Sequence, residues 1–226
     1  MLANNLANVQ TNGYKLDREF YDLYTSADAV AGGDYDPTRM PDIVKNWTDY
    51  SQGSLQPTSN PLDLAISGQG FFAVNGPNNT TLYTRNGSFH LNASSQLATQ
   101  DGYAVRDDAG NPVRVDPNQP ISVDASGTVL QGGQAVARLQ VSSFADPGAL
   151  TKAGATNFQF TGKPADIRAA SGEVEQGKVE ASNVTPAEST VRLVNVMRQF
   201  EMLQKAMSIG TDMNKQAIEE VARSGQ

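Results

Sequence analysis

The stretch from Thr185 to the end of the chain most constrains the fold, because it predicts a single long amphipathic helix. Pro186 suits a first helical turn, Thr185 suits the N-cap, and Glu188 stands three residues after Thr185 as in a capping box. No proline follows. The pattern therefore predicts a helix of roughly 35–40 residues with a length on the order of 55 Å.

One face of this helix carries an apolar seam. Its residues are separated by alternating spacings of three and four, which is the a/d rhythm of a coiled coil. The rhythm weakens at Gly210 and Asn214 and resumes at Ala217 and Val221. A continuous seam needs a partner, and either the chain's own domain or a neighbouring subunit would satisfy it. The seam consists of Leu193, Val196, Phe200, Leu203 and Met207.

Composition argues against several classes of protein. The net charge of −7, without a cluster of Lys and Arg, argues against binding to nucleic acid. There is no cysteine, which excludes disulfides, thiolate catalysis and cysteine-ligated metals. No apolar run approaches the roughly 18 residues of a membrane-spanning helix. The first residues lack the regions of a secretory signal, so we expect a cytosolic chain or export without a cleaved signal peptide.

The middle of the chain predicts an all-β body. From about residue 60 the apolar period becomes two, and Gly, Asn and Asp turns separate the short runs. Such closely spaced strands are typical of a barrel or a folded meander. Strands are predicted at 62–66, 71–74, 81–83, 96–98, 103–105, 113–115, 121–123, 128–130, 135–144 and 157–160.

The N-terminal region predicts helical pieces followed by a linker. Apolar residues recur at helical spacing at Leu2, Leu6 and Val9, and Asn12-Gly13 is the expected stop. A second short helix is predicted over 16–24, through Leu16, Phe20, Leu23 and Tyr24. The expected fold is mainly β with terminal α-helices. Its parts are a helical segment (1–27), an extended linker (28–60), a β-domain (61–170), a connector (171–185) and the C-terminal helix (186–224).

Residues that could support catalysis have simpler structural explanations. Gly68-Gln-Gly70 matches a dinucleotide fingerprint, but a strand rather than a helix is predicted after it, so a tight hairpin turn explains both glycines. His90 is the only histidine and is expected to be structural. Asp107-Asp108 adjoins a turn, and Glu173 and Glu175 lie in a polar connector, so these pairs are expected to be solvated. We predict no catalytic, cofactor-binding or metal-binding residue.

Four segments resemble bacterial flagellar rod and hook proteins: 4–15, 52–72, 83–89, and 180–188 with the helix after it. They follow one another in the family's order and span most of the chain. The family motif is carried by Asn4, Asn5, Asn8, Asn12, Gly13, Asn60, Leu62, Asp63, Gly68, Gly70, Phe71, Phe72, Ser182, Asn183 and Val184.

This resemblance implies a structural subunit of the flagellar basal-body rod, located in the periplasm. It implies that the chain binds itself, other rod subunits and the export machinery, and that it has no cofactor or small-molecule substrate. The sequence at 198–202 is more similar to the proximal-rod type (FlgF) than to the distal-rod type (FlgG). Family members usually carry a further helix before the position of Asn4, which is almost absent here.

On this interpretation the terminal helices form a coiled-coil-like core in the assembled rod. The seam residues would make the inner contact, Leu2, Leu6 and Val9 would be part of its partner, and the segment 52–72 would join the helices to the β-domain. The alternatives are a distal-rod or hook-type axial subunit, a wall-cleaving hydrolase, or a secreted binding module.

Overall fold

Two helices of very different length stand at the two ends of a β-rich chain in the computed structural model, which describes residues 1–24 and 40–224. Helix α1 covers Leu2–Ala7, and helix α2 covers Pro186–Ser224, 39 residues. Helix α2 begins where the capping pattern predicts, and the Ser189 amide donates to the carbonyl of Thr185 at 3.1 Å. Neither described helix has the length and apolar character needed to cross a membrane.

Eighteen strands lie between the helices in the part of the chain that the structure describes. They are β1 (Leu16–Tyr24), β2 (Met40–Asp49), β3 (Leu55–Pro57), β4 (Leu64–Ser67), β5 (Phe71–Asn75), β6 (Thr81–Thr84), β7 (His90–Leu91), β8 (Leu97–Ala98), β9 (Ala104–Val105), β10 (Ile121–Val123), β11 (Thr128–Gln131), β12 (Gln134–Arg138), β13 (Val141–Phe144), β14 (Leu150–Lys152), β15 (Asn157–Phe160), β16 (Ile167–Ala169), β17 (Glu173–Gln176) and β18 (Lys178–Glu180).

Strand β5 organises the body, because each of its two faces serves a different core. Phe72 and Val74 point into one apolar cluster, whereas Phe71 and Ala73 point into the other. This alternation follows from the period of two along a strand. The surrounding sheet has the order β14-β15-β6-β5-β9-β8-β7, and β13 also pairs with β5. The predicted β character of the middle of the chain is therefore confirmed.

The prediction of a second helix over 16–24 is wrong. These residues form β1, which pairs antiparallel with β2 from Leu16–Asp49 to Tyr24–Met40. The spacing of Leu16, Phe20 and Tyr24 suits a helix, but aromatic residues also favour strands, and the partner strand lies too far along the chain for local periodicity to detect. Residues 40–49 and 55–57 of the predicted linker are likewise strands. Its segment 28–39 lies outside the described residues.

Helix α1 ends earlier than expected, at Ala7 rather than at Asn12-Gly13, and Val9 lies in the turn that follows it. The Asn8 side chain donates to the carbonyl of Asn4 at 2.9 Å, a local bond that competes with helix continuation. Gly13 has a different role. It adopts a φ of +70°, and a Cβ atom there would lie 2.2 Å from the amide nitrogen of Asn86.

The pairing of the strands differs from the sequence pattern in three places. Segment 113–115 makes one isolated bridge, from Arg114 to Gln96, and the predicted strand 135–144 is divided into β12 and β13. Gly68 and Gly70 form a turn, but β4 and β5 do not pair, so it is not the predicted hairpin. The connector contains β17 and β18, which pair with β4 and β3. Two strands from the late part of the chain thereby pair with two strands from its first third.

Candidate functional site

A buried ionic cluster, which we call the junction, lies where both ends of the chain meet the β-body. It consists of Lys15, Arg85 and Glu180, whose side chains are 0–4% exposed. Glu180 Oε1 accepts from Lys15 Nζ at 2.5 Å and from the Gly53 amide at 2.9 Å, and its Oε2 accepts from Arg85 Nη1 at 3.0 Å. One carboxylate thus connects four segments that are remote in sequence.

The Arg85 guanidinium extends the junction to the turn between β4 and β5. It donates to the carbonyl of Ile66 at 3.3 Å and to the carbonyl of Gly68 at 2.8 Å. Its Cζ atom lies 5.1 Å from the ring centroid of Phe71, within the range of a cation–π interaction. The junction is therefore bonded directly to the central strand of the body.

The charges of the junction are balanced only in part, because two cations share one anion. Burial lowers the pKa of Lys15 and the pKa of Arg85, and the neighbouring Glu180 carboxylate opposes both shifts. Lys15 Nζ also donates to the carbonyl of Ser51 at 2.7 Å. Buried charges of this kind tolerate the loss of their counter-ion poorly, so Glu180 is the residue on which the cluster depends.

Two asparagine side chains fix the base of the β1–β2 ribbon, one from each end of the chain. Asn183 Oδ1 accepts from the Leu16 amide at 2.8 Å, and its Nδ2 donates to the carbonyl of Asp49 at 2.8 Å. Asn5 makes a similar pair of bonds with the backbone of Asp17, at 2.9 and 3.1 Å. A side-chain amide carries both a donor and an acceptor, so it can replace one rung of a β-ladder.

Contacts of Tyr14 and Lys152 bind the N-terminal segment to strand β14 of the body. The Tyr14 hydroxyl donates to Oδ1 of Asn4 or Asn5, at 2.9 and 3.0 Å, and burial together with the Asp17 charge raises its pKa to about 12. Lys152 Nζ lies 4.2 Å from the Tyr14 ring centroid and donates to the Asp17 carboxylate at 2.7 Å. Tyr14 therefore remains a neutral donor at physiological pH.

Replacement of Asn183 by alanine is expected to loosen the ribbon base. The Leu16 amide and the Asp49 carbonyl would each lose a partner, which should cost about 2 kcal/mol of unfolding free energy. Denaturant titration would measure this loss, and hydrogen exchange should show a faster Leu16 amide. Asn118→Ala, in an exposed turn, is the control and should change stability by less than about 0.5 kcal/mol. An unchanged Leu16 exchange rate would contradict the assignment.

Beyond the first turns of helix α2, most of its described side chains are exposed to solvent. Ser189 is buried and Leu193 is half-buried, whereas Val196 is 48% exposed and Phe200 is 60% exposed. Leu203 and Met207 are also more than half exposed. Helix α1 lies against α2, and Leu2 and Leu6 are half-buried there, as is Val9 in the following turn. The predicted role of these residues in assembly stays a prediction.

The remaining motif residues shape the turns around the junction. Asn12 Nδ2 donates to Ser88 Oγ at 2.9 Å, and Asn60 Nδ2 donates to Asp63 Oδ1 at 3.1 Å. The Leu62 amide donates to Asn60 Oδ1, and the amide of the buried Val184 donates to Ser182 Oγ. Among the dismissed catalytic candidates, His90 is exposed, and Asp107 Oδ1 accepts from the Asn111 amide at 2.7 Å, as a turn residue does.

Sequence reasoning did not identify the three charged residues of the junction. Each lies inside one of the four motif segments, which is the signal that could have drawn attention to them. The ion pairs join residues that are 165 and 95 positions apart, so no local spacing relates Lys15 or Arg85 to Glu180.

Comparison with known proteins gives a consistent result. Residues 65–131 match a profile described as the flagellar hook protein FlgE/F/G D1 domain, and 175–220 match one described as the flagellar basal body rod FlgEFG protein C-terminal. The flagellar basal-body rod protein FlgF of Caulobacter vibrioides is 30% identical over 99% of this chain and 91% of its own length. FlgF of Mesorhizobium japonicum is 32% identical over 96% and 88%. FlgG of Caulobacter vibrioides is 33% identical over 94% and 89%.

Proposed function

The chain belongs to the family of flagellar basal-body rod proteins, and we propose that it is a structural subunit of the rod that assembles through helix α2. The observation that carries this proposal is the uncovered seam, in which Phe200, Leu203 and Met207 are each at least 60% exposed. Monomeric proteins rarely leave such a stripe in contact with water. A neighbouring subunit would cover it and form the coiled-coil-like core of the rod.

The position of the helix favours an open polymer over a closed dimer. Helix α2 is anchored at one end and extends away from the body, so a contact between the helix of one copy and the base of another joins two unlike surfaces. Contacts of this type generate helical filaments when the rotation does not close. Burial of the five seam side chains would contribute about 10 kcal/mol per subunit before entropy is subtracted.

The junction would serve this function by holding the helix and the β-body at one fixed angle. A shaft transmits torque only if its subunits do not bend at their internal connections. The Lys15–Glu180–Arg85 cluster and the Asn183 amide connect the root of α2 to the β1–β2 ribbon and to β5 through charged and neutral hydrogen bonds. Such a network favours one geometry, because any rotation would leave buried charges without partners.

We assign the chain to the proximal rod in preference to the distal rod, on the sequence at 198–202. Relatives named FlgF and FlgG have similar identity to the chain, 32% and 33% in two cases, so this assignment rests on that short segment. The proposed location is the periplasmic part of the basal body, reached through the flagellar export machinery. The proposed partners are other rod subunits and further copies of this chain. We propose no enzymatic activity.

Self-association of the purified chain tests the proposal. Sedimentation velocity should show larger species as the concentration rises, and electron microscopy should show elongated rather than closed particles. Limited proteolysis with mass spectrometry should give cleavage within 200–224 in the monomer and protection after association. A chain that remains monomeric, or an α2 that is protected as a monomer, would contradict it. In that case a folded binding module would become the better interpretation.

A further inference from the structure

One short segment makes the backbone attachment of the N-terminal part of the chain. We call residues 177–184 the strap; they comprise β18 and the turns on either side of it, up to the start of α2. Within residues 1–24 and 40–224, every backbone–backbone hydrogen bond from residues 1–58 to the rest of the chain ends at the strap. In these sheets β1 and β2 pair with each other, and β3 pairs with β18.

The strap lies between two pieces of the N-terminal part. On one edge, β18 pairs with β3, and the Ala181 amide donates to the carbonyl of Ser54 at 2.9 Å. On the other edge, the Glu180 carbonyl accepts from the Gly13 amide at 2.7 Å. An undocked strap would therefore leave backbone groups of both pieces without these partners.

The buried charges of the junction make docking of the N-terminal part depend on the strap. Lys15 is 0% exposed, and its ammonium is paired with the Glu180 carboxylate of the strap. Without the strap, Lys15 in its final place would be a buried cation beside a second cation, Arg85, which disfavours its charged form. Water solvates the Lys15 ammonium as long as the two segments are apart. The N-terminal part therefore cannot reach its buried position before the strap does.

Side-chain contacts with the body do not replace the strap. Tyr50 packs edge to face against Phe71 and Phe158, with ring centroids 5.8 and 5.4 Å apart. Lys152 Nζ donates to the Asp17 carboxylate at 2.7 Å. Such contacts hold a segment close to the body, but they do not fix the position of its backbone as a ladder of backbone hydrogen bonds does.

We propose that the strap is a conformational lock: residues 1–58 take their fixed position, with α1 against α2, only when the strap is docked between them. This inference rests on the proposed function, because it states when a subunit acquires the fixed angle that assembly uses. A chain that leaves an export channel one end first would keep its N-terminal part loose until residues 177–184 had also emerged. The lock thereby keeps an incomplete chain out of the rod.

Gly53→Ala tests the lock in the full chain. A Cβ atom on residue 53 would lie 2.0 Å from the carbonyl oxygen of Ala181, so this variant hinders docking of the strap and changes no charge. The measurement is hydrogen exchange of the dilute monomer, followed by NMR. The Gly13 and Thr58 amides, which donate to carbonyls of the strap, should exchange at least about tenfold faster.

The Asp17 amide distinguishes a lock from a local loss of bonds. It donates to Asn5 Oδ1 at 3.1 Å rather than to the strap, so a disturbance confined to the strap would leave it protected. The lock predicts that Asp17 also exchanges at least about tenfold faster in Gly53→Ala. The Arg106 amide, which donates to the carbonyl of Ala73 within the body, should change by less than about twofold. Unchanged exchange at Asp17 would overturn the lock.

Two controls separate the lock from general effects. Gly210→Ala adds a Cβ atom with nothing within 4 Å of it and should leave the exchange of all four amides unchanged. Val129→Ala removes two methyl groups from the buried core of the body, and it should speed the exchange of Asp17 and Arg106 by similar factors. A uniform pattern of this kind in Gly53→Ala would also contradict the lock.

Refolding of the natural chain gives a second test, which does not depend on any variant. After dilution from denaturant, pulsed hydrogen exchange should show the Gly13, Asp17 and Ala181 amides becoming protected in one phase. Protection of Gly13 or Asp17 before Ala181 would overturn the lock. Neither test requires self-association, so this result would leave the proposed function standing. A chain that shows the expected exchange but never associates would overturn the proposed function, and the lock would remain a property of the fold.

Discussion

Glu180→Gln is expected to lower the free energy of unfolding by about 3–5 kcal/mol, the cost of removing one partner from a buried ion cluster. Glutamine has nearly the same size, so packing is preserved, but the charge is lost and an NH2 group replaces one of the two oxygens that accept from Lys15, Gly53 and Arg85. Lys15 and Arg85 would then be two buried cations without a counter-ion. For a chain of this size the midpoint of thermal unfolding should fall by about 10 °C, as measured by calorimetry.

The matched variant Lys15→Met should be much milder. It leaves Glu180 and Arg85 as a one-to-one pair, so the unfolding free energy should fall by only about 1 kcal/mol, mainly through the lost bond to Ser51. Glu175→Gln, in the more exposed pair with Lys178, provides the surface control and should cost less than about 1 kcal/mol. Equal effects of Lys15→Met and Glu180→Gln would mean that packing rather than charge balance stabilises the junction.

Phe200→Asp is expected to abolish self-association. Phe200 is 60% exposed in the single chain, and an assembled core would have to bury the new carboxylate among apolar side chains. The lost burial alone costs about 2 kcal/mol or more. Together with the desolvation of the charge, this should weaken association by at least about 100-fold, as measured by sedimentation velocity.

The same variant should leave the β-body intact, because an exposed side chain contributes little to the stability of its own chain. Its unfolding midpoint should correspond to a change within about 0.5 kcal/mol. Ser208→Asp places the same charge on the same helix, about 100° around the axis from the centre of the seam, and should associate normally. If Phe200→Asp associates like the natural chain, the seam is not part of the subunit contact.

Local patterns predicted those elements whose residues interact with near neighbours. Helix α2 was predictable because 40 consecutive residues contain the signals for its cap, its length and its seam. Strand β5 was predictable because Phe71 to Val74 form a short continuous apolar run with turn residues on either side. The structure buries both faces of this run, one in each core. Strand β1 was not predictable, because its sequence fits both the helical and the strand period. Its strand conformation depends on pairing with β2 and on hydrogen bonds to the side-chain amides of Asn5 and Asn183.

The candidate site shows the same division. The motif segments indicated which stretches matter, but not that Gly13, Gly53, Arg85 and Glu180 meet at one point. The Gly13 amide donates to the carbonyl of Glu180 at 2.7 Å, across almost the whole sequence. An ion pair between such remote residues leaves no spacing in the sequence, because only the closed fold brings the two segments together.

The sequence by itself therefore determined the helix, its seam, the β character of the body and the family of the chain. Each of these is a property of consecutive residues or of short motifs in order. The tertiary structure alone decided that the ends of the chain are joined to the body by a buried carboxylate, that α1 ends at Ala7, and that α1 lies against α2. Those features depend on desolvation and on contacts between remote segments, which exist only after the chain has folded.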